Sequence, residues 1–333
     1  MEKLNRCYDC GEIITKKNES KEHIIHNSIG GRLKSTKLLC SVCNPKYSPT
    51  IDLEIEKQLG PFVSALGIKR ERKKKVIDFV VVDAAGNEKH MGQHLIPLEK
   101  MIIDTDGEPK TYHVQPGQYE AKKAELEAAL KNAKYEYRYE EHLEHHNEAV
   151  FIKNEKSTKP GEVGFGGIPY LRGVAKMALN YYLHRGYNKS HATKIIDFVK
   201  VGTGDVPVYF YAPSNFEAHT VEQDEVSHII HIRGSKQYKM LYAYVELFNL
   251  QSVLIPFDME YDGDEINDTY AYDLLNNQVM DKKVLLKLTR QHLQDIDLLE
   301  IRSDIFDARL HRLTSIIQKR HQAAIQEKKR SSA

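Results

Sequence analysis

Four cysteines lie in two pairs near the start of the chain, at the spacing of a metal site. Two residues separate Cys7 from Cys10, and two residues separate Cys40 from Cys43. A Cys-x2-Cys turn lets two thiolates bind one ion, and two such turns complete the tetrahedral shell of a structural zinc. Because sulfur fills all four positions, we expect this zinc to stabilise the fold and to bind no substrate.

The residues around and between these cysteines resemble the HNH endonuclease family, the ββα-metal nucleases. The likeness covers about residues 5–65 and is closest to the branch whose core a four-cysteine zinc braces. It implies a ββα fold for this segment, a nucleic-acid substrate and one divalent ion in addition to the zinc. The matching stretches are the two cysteine pairs with EHII at 22–25, GG at 30–31 and LLCSVCNPK at 38–46.

The resemblance implies a role for three residues between and after the cysteine pairs. Glu22 would ligate the divalent ion, His23 would be the general base, and Asn44 would be the other protein ligand. Hydrolysis of a phosphodiester needs a base to activate water and a cation to offset charge on the leaving oxygen. Oxygen ligands that leave most positions to water and phosphate suit Mg²⁺ or Mn²⁺. The alternative is a surface acid–histidine pair on a domain that only binds.

Basic and small residues nearby fit contacts with a nucleic-acid backbone. Arg32, Lys34 and Lys46 are expected to contact DNA phosphates. Gly30 and Gly31 would allow the loop between the strands to turn sharply. His26 is a candidate accessory residue for the leaving group or a phosphate, with a local structural role as the alternative.

Two positions depart from the family pattern. Lys37 stands where the family usually has an Asn that ties down the loop carrying the catalytic His, and Asn27 is the candidate to replace that Asn. Ser48 stands a helical turn after Asn44, where the family can have a further ligand. Glu22 and His23 are both retained, which favours an active enzyme over an eroded one.

The charge of the chain is unevenly distributed. Residues 1–75 hold 16 Lys or Arg and 9 Asp or Glu, which leaves 32 basic and 38 acidic residues in the remainder. A basic N-terminal part on a mildly acidic body indicates that the N-terminal part contacts a polyanion.

The hydrophobic pattern predicts an α+β protein of two parts. We place an HNH nuclease domain at 1–68, a basic linker at 69–75 and a larger mixed domain at 76–333. In the larger part, strands are expected at 76–83, 206–212, 226–234, 241–249 and 253–258, and helices at 118–134 and 171–186. The tail, from about 283 to 325, is expected to form a long helix.

These features together predict a metal-dependent DNA endonuclease in restriction, anti-phage defence or a mobile element. A zinc-dependent DNA-binding protein without catalysis is the alternative, and RNA is not excluded as the substrate. The C-terminal region is a candidate for homodimer formation or for binding a protein partner. The N-terminus has no apolar signal region, and no apolar run approaches the roughly 18 residues of a membrane span. We therefore expect a cytoplasmic protein that does not bind membranes.

Overall fold

The computed structural model describes most of the chain and divides it into two compact units. The first unit contains Met1–Leu59, Ile68–Arg72 and Phe165–Gln318, and the second contains Gly60–Gly67, Lys73–Gly164 and Lys319–Ala333. This division differs from the predicted domain boundaries, which stay a prediction. The described residues are 5–71, 79–82, 88–105, 108–114, 121, 123–125, 128, 137–142, 151–152, 165–203, 205–212, 218–295 and 303–331.

The N-terminal segment has two short strands followed by a helix. Strand β1 (Glu22–His23) pairs with β2 (Lys34–Ser35) in antiparallel register, so Glu22 lies opposite Ser35 and His23 opposite Lys34. After the second cysteine pair the chain enters a 3-10 turn at Asn44–Tyr47, then a π-helical turn at Ser48–Asp52. Helix α1 (Leu53–Leu66) continues directly from there. The order of two strands and a helix is the predicted ββα arrangement.

The spacing of apolar residues explains which side of α1 is buried. Ile55, Leu59, Phe62 and Leu66 recur three or four residues apart and are all nearly inaccessible to solvent. Two glutamates in the first turn interact favourably with the positive end of the helix dipole. Residues 58–66 of the helix are buried on every side, so most of α1 lies in the interior of the protein.

The loop between β1 and β2 turns at two glycines. Gly30 has a φ of 95°, a left-handed conformation that favours glycine. Gly31 lies so close to the preceding turn that an added Cβ would be 1.8 Å from the carbonyl oxygen of Ile25. A backbone oxygen cannot move aside as a flexible side chain can, so position 31 requires a residue without a side chain.

We expect Gly31→Ala to lower the free energy of unfolding by about 3 kcal/mol or more, because the new methyl group must displace backbone. Gly186→Ala is the matched control. Gly186 has a φ of 83° and open space around its Cβ position, so that change should cost only roughly 1–2 kcal/mol of backbone strain. Urea denaturation of the two variants measures both values. Equal losses would contradict the steric explanation.

The described residues of the second unit form two small antiparallel sheets. Their strand orders are β4-β3-β8 and β6-β5-β7. The predicted strand at 76–83 is present as β3, while most of the predicted helix at 118–134 and residues 72–75 of the predicted linker lie outside the described residues. The strands are β3 (Phe79–Val82), β4 (Glu88–Met91), β5 (Glu99–Thr105), β6 (Glu108–Val114), β7 (Tyr137–His142) and β8 (Phe151–Ile152).

The C-terminal part of the first unit is built on a six-stranded antiparallel sheet with the order β14-β13-β10-β11-β12-β9. Neighbours along the chain are mostly neighbours in the sheet, as hairpin connections dictate. Together with the helices below, this sheet confirms the α+β prediction. Its strands are β9 (Tyr209–Phe210), β10 (Ser227–Ser235), β11 (Met240–Leu247), β12 (Gln251–Asp258), β13 (Ile266–Asp273) and β14 (Gln278–Met280).

Helix α2 (Ile168–His184) packs against β10 and β11 and is joined through a short turn to α3 (Thr193–Val201). Every residue of β11 is buried, so both faces of the sheet are covered there. In the region of the predicted tail helix, the described residues form a short helix, α4 (Arg290–Gln294), and a long one, α5 (Ser303–Ser331). No helix in the described part of the chain is both long and apolar enough to span a bilayer.

Candidate functional site

The four cysteines come together as the sequence predicts. Their sulfur atoms all lie within 4.8 Å of one another, and the Cys10 and Cys40 sulfurs are 3.9 Å apart. Sulfur atoms on a tetrahedral zinc are about 3.8 Å apart, given a Zn–S bond of about 2.3 Å. Within each pair a tight turn is closed by a backbone hydrogen bond, from Gly11 to Cys7 and from Cys43 to Cys40. This donor set and its geometry fit a structural zinc ion.

Glu22, the predicted ligand of the divalent ion, is held by the C-terminal part of the chain. Its Oε1 accepts a hydrogen bond from the ammonium of Lys176 at 2.6 Å. The same ammonium lies 3.0 Å from Oδ1 of Asp52, which ends the π-helical turn before α1. All three residues are buried. One lysine of α2 therefore bridges two carboxylates of the N-terminal segment.

Lys176 remains charged in this environment. Burial by itself would lower the pKa of Lys176, but the carboxylates of Glu22 and Asp52 outweigh it and raise that pKa. For Glu22, burial raises the pKa, and the charge of Lys176 opposes the rise. The ring of Tyr47 also lies 5.3 Å from the Lys176 nitrogen, a cation–π contact.

Asn180, one helical turn after Lys176, completes the contacts of α2 with β1. Its amide nitrogen donates to Oε1 of Glu22 at 3.0 Å and to the backbone carbonyl of His23 at 3.1 Å. Strand β1 is thus held by one hydrogen bond to a side chain and one to its backbone. Glu22 and His23, the two residues of the strand with predicted catalytic roles, therefore lie where the N-terminal segment contacts α2.

The imidazole of His23, the predicted base, lies beside a carboxylate. Its Nε2 is 3.3 Å from Oε2 of Glu71, which also pairs with the ammonium of Lys34. A carboxylate on one nitrogen of an imidazole fixes the orientation of the ring. Lys34 is also the residue opposite His23 in the β1–β2 pair.

The contacts of His26 are local and favour a structural role. Its Nδ1 is 2.6 Å from the hydroxyl of Ser28, and its Nε2 is 3.8 Å from Oδ2 of Asp52. Burial lowers the pKa of His26 to about 4, so the ring is neutral at physiological pH. It caps the turn at Asn27–Ile29, since its side chain accepts a hydrogen bond from the backbone amide of Ser28.

The predicted divalent-ion site is not assembled from Glu22 and Asn44 in this structure. The amide nitrogen of Asn44 donates to the hydroxyl of Ser20 at 2.7 Å, and Glu22 is bound to Lys176 and Asn180. In the described residues, the four cysteines alone bring three or more His, Cys, Asp or Glu ligand atoms together. The present arrangement therefore does not fit a metal ion at Glu22, because an ammonium already fills that position.

The three cations predicted to contact phosphate differ in how strongly they already interact with other groups of the protein. Arg32 donates to the side chain of Asn277 and to the carbonyl of Lys69, and Lys34 pairs with Glu71. Lys46 is largely exposed, 3.6 Å from the sulfur of Cys43. Lys46 is therefore the most accessible of the three cations.

The remaining candidates lie at the edge of the site. Asn27 accepts a hydrogen bond from the backbone of Glu71 and so holds Glu71 beside His23. Lys37 and Ser48 are exposed. Their roles stay predictions.

Three residues of the site were missed by the sequence reading: Asp52, Lys176 and Asn180. A signal for two of them is present, since Lys176 and Asn180 are four residues apart within the apolar run of α2 and both are buried. Polar residues on a buried helix face require partners. Their partners lie more than 120 residues earlier in the chain, and helix periodicity gives no information about them.

Comparison with known proteins agrees with this geometry. Residues 7–60 match the family described as HNH endonuclease. Neither a curated protein nor a solved structure matches the chain. The resemblance predicted from the sequence is confirmed, and the N-terminal segment is an HNH endonuclease domain. Such a domain supports a nuclease function in general terms and implies binding of nucleic acid.

Proposed function

We propose that the protein is a DNA endonuclease that hydrolyses phosphodiester bonds, with His23 as the general base. The observation that carries this proposal is the position of His23 at the end of β1, inside the matched segment and beside the Glu71 carboxylate. His23 keeps 12% of its side-chain surface exposed. A water molecule activated there would meet a phosphate brought in by Lys34, the residue across the strand pair.

Each protein group has a distinct task in this proposal. Glu71 orients the imidazole of His23, which takes a proton from the attacking water. Lys34 and Lys46 attract the phosphate backbone, and the four cysteines hold a zinc ion that stabilises the loops around β1. A divalent ion, Mg²⁺ or Mn²⁺, would supply charge stabilisation if it bound. No step is assigned to it, because Lys176 occupies the carboxylate that would hold it.

The larger part of the chain would then select the target, sense a signal or recruit a partner. A nuclease domain joined to such a body fits restriction, anti-phage defence or a mobile element, a role proposed by analogy of architecture. A homodimer or a protein partner bound through α5 belongs to the same proposal, as does a cytoplasmic location.

A non-catalytic DNA-binding protein is the second candidate, and one observation favours it. The carboxylate of Glu22 is buried and paired with Lys176, as expected where the site no longer binds a divalent ion. The exposed cation Lys46 would serve binding equally well without cleavage.

Cleavage of supercoiled plasmid by the full chain separates these candidates. We expect nicked or linear product from the wild type, and a rate about 100-fold to 10,000-fold lower for His23→Ala, because general-base catalysis contributes that much. His311→Ala, at an exposed histidine of α5, is the matched control and should cleave as the wild type does.

The assay is run with Mg²⁺, with Mn²⁺ and with neither, and zinc content is measured for each variant. Equal cleavage by wild type and His23→Ala would exclude His23 as the base. Binding of the plasmid without any cleavage, with zinc retained, would support the non-catalytic candidate.

A further inference from the structure

The environment of Lys176 has the features of a cation site rather than of an ordinary ion pair. Its ammonium contacts carboxylate oxygens from two separate elements, Glu22 at 2.6 Å and Asp52 at 3.0 Å, and 3% of Lys176 is exposed. Isolated buried charges are costly, whereas a cation shared between two carboxylates is compensated. The cluster therefore holds two carboxyl groups and a single lysine.

A further side chain beside Glu22 has an oxygen without a hydrogen-bond partner in the described part of the chain. The side-chain carbonyl of Asn180 is buried and accepts no hydrogen bond in the described part of the chain, although the amide nitrogen of the same group binds Glu22. Rotation of the amide by half a turn exchanges oxygen and nitrogen. Carboxylate and amide oxygens are the ligands that Mg²⁺ and Mn²⁺ prefer.

We propose that Glu22 and Asp52 form a divalent-cation site that the Lys176 ammonium fills, so that the chain in this conformation excludes a metal ion from Glu22. Asn180 supplies a third oxygen once the lysine is removed. The site differs from the predicted one, since Asp52 rather than Asn44 is the partner of Glu22. The consequence for cleavage, that Lys176 holds the nuclease in a restrained form, rests on the proposed function.

The packing of α2 keeps the lysine in place. Gly173, one turn before Lys176, lies so close to α1 that an added Cβ would be 2.6 Å from the side chain of Ile55. From the sheet, His228 contacts the loop after β1, with its Nε2 2.8 Å from the carbonyl oxygen of Ile29. Contacts this close fix α2 on α1 and the sheet on the loop after β1, which favours the observed position of Lys176.

Binding of Mn²⁺ to the full, zinc-loaded chain tests the proposal without reference to activity. Titration followed by the electron paramagnetic resonance of free Mn²⁺ compares the wild type with Lys176→Ala and Lys176→Gln. We expect each variant to gain a site that binds Mn²⁺ at least about tenfold more tightly than the wild type, because a positive charge about 3 Å from two carboxylates is gone. Lys194→Ala, at an exposed lysine of α3, is the matched control.

Adding Glu22→Gln to Lys176→Gln should abolish the gained site. A folded, zinc-loaded Lys176 variant that binds Mn²⁺ no better than the wild type would overturn the proposal. If neither variant folds, the melting temperature of the wild type decides. It should be unaffected by Mn²⁺, since a ligand stabilises only the state that binds it. A rise with Mn²⁺ that Glu22→Gln removes would show that the metal reaches Glu22 in spite of Lys176.

Plasmid cleavage by Lys176→Gln then separates this inference from the proposed function. We expect faster Mn²⁺-dependent cleavage than by the wild type, and the His23→Ala comparison can be repeated in this background. A gain of Mn²⁺ binding with no cleavage would keep the cation site and refute the nuclease. His23-dependent cleavage without any gain of Mn²⁺ binding would keep the nuclease and refute the cation site.

Discussion

Loss of zinc is expected to unfold the N-terminal segment. In Cys40→Ser, the zinc content should fall from about one ion per chain to near zero, and cleavage should be lost with it. A four-thiolate zinc contributes about 10–16 kcal/mol of apparent binding free energy. Regular structure among the described residues of the segment itself is limited to two strands of two residues each and short helical turns before α1. Elements this short do not stabilise themselves.

Elemental analysis and thermal denaturation measure this effect, with limited proteolysis to locate it. New cleavage should appear within residues 5–52, while the six-stranded sheet stays resistant. Ser41→Ala changes an exposed residue inside the second cysteine turn and is the matched control, which should keep its zinc. A zinc-free Cys40→Ser protein with the melting temperature of the wild type would contradict the structural role of the ion.

The second large effect is expected at Glu246, in the middle of the sheet. Its Oε1 accepts hydrogen bonds from His219 at 2.9 Å and from Asn249 at 2.8 Å, and its Oε2 is 3.6 Å from the guanidinium of Arg309 on α5. Glu246→Gln would leave the buried His219 and the partly buried Arg309 without their counter-ion. Breaking a buried pair in this way costs about 3–5 kcal/mol, which urea denaturation would detect. Glu222→Gln, at an exposed position, should cost almost nothing.

The pair of Glu246 and His219 makes the free energy of unfolding depend on pH. Burial acts against the charge of Glu246, but its hydrogen bonds with His219 outweigh it and lower the pKa of Glu246 from 4.5 to about 2. Its contribution is therefore present above pH 4.5 and lost as the pH falls toward 2. Burial also opposes the charge of His219, yet Glu246 raises the pKa of His219 above its ordinary 6.5.

The contribution of His219 is complete below pH 6.5 and is lost as the pH rises through its elevated pKa. Together the two groups stabilise the fold most between pH 4.5 and 6.5. The difference in unfolding free energy between wild type and Glu246→Gln should be largest in that window and shrink on both sides. A difference that does not vary with pH would show that the pair is not ionised in the folded protein.

Local spacing accounts for what the sequence could predict. The zinc site follows from two Cys-x2-Cys pairs, and strands such as β10 and β11 follow from apolar and β-branched residues bounded by turns. Glu22 and His23 became candidates because the motif around them is contiguous. In each case the residues that matter are near one another in the chain.

The contacts that occupy the carboxylate of Glu22 join residues that are far apart in the sequence. Lys176 and Glu22 are 154 residues apart, and Asn180 and Glu22 are 158 apart. Nothing in the pattern of α2 distinguishes a lysine that reaches a carboxylate from one that reaches water. The sequence therefore predicted that Glu22 is free to bind a metal ion. In the structure, Glu22 is instead paired with the ammonium of Lys176.

The distance along the chain between Glu22 and Lys176 also has a consequence in time. At a synthesis rate of about 5–20 residues per second, roughly 8–30 seconds separate the appearance of the two residues. The cysteines, complete by residue 43, can take up zinc long before α2 exists. A nascent chain would thus carry a zinc-bound N-terminal segment whose acidic residues still face water, and translation of α2 would end that interval.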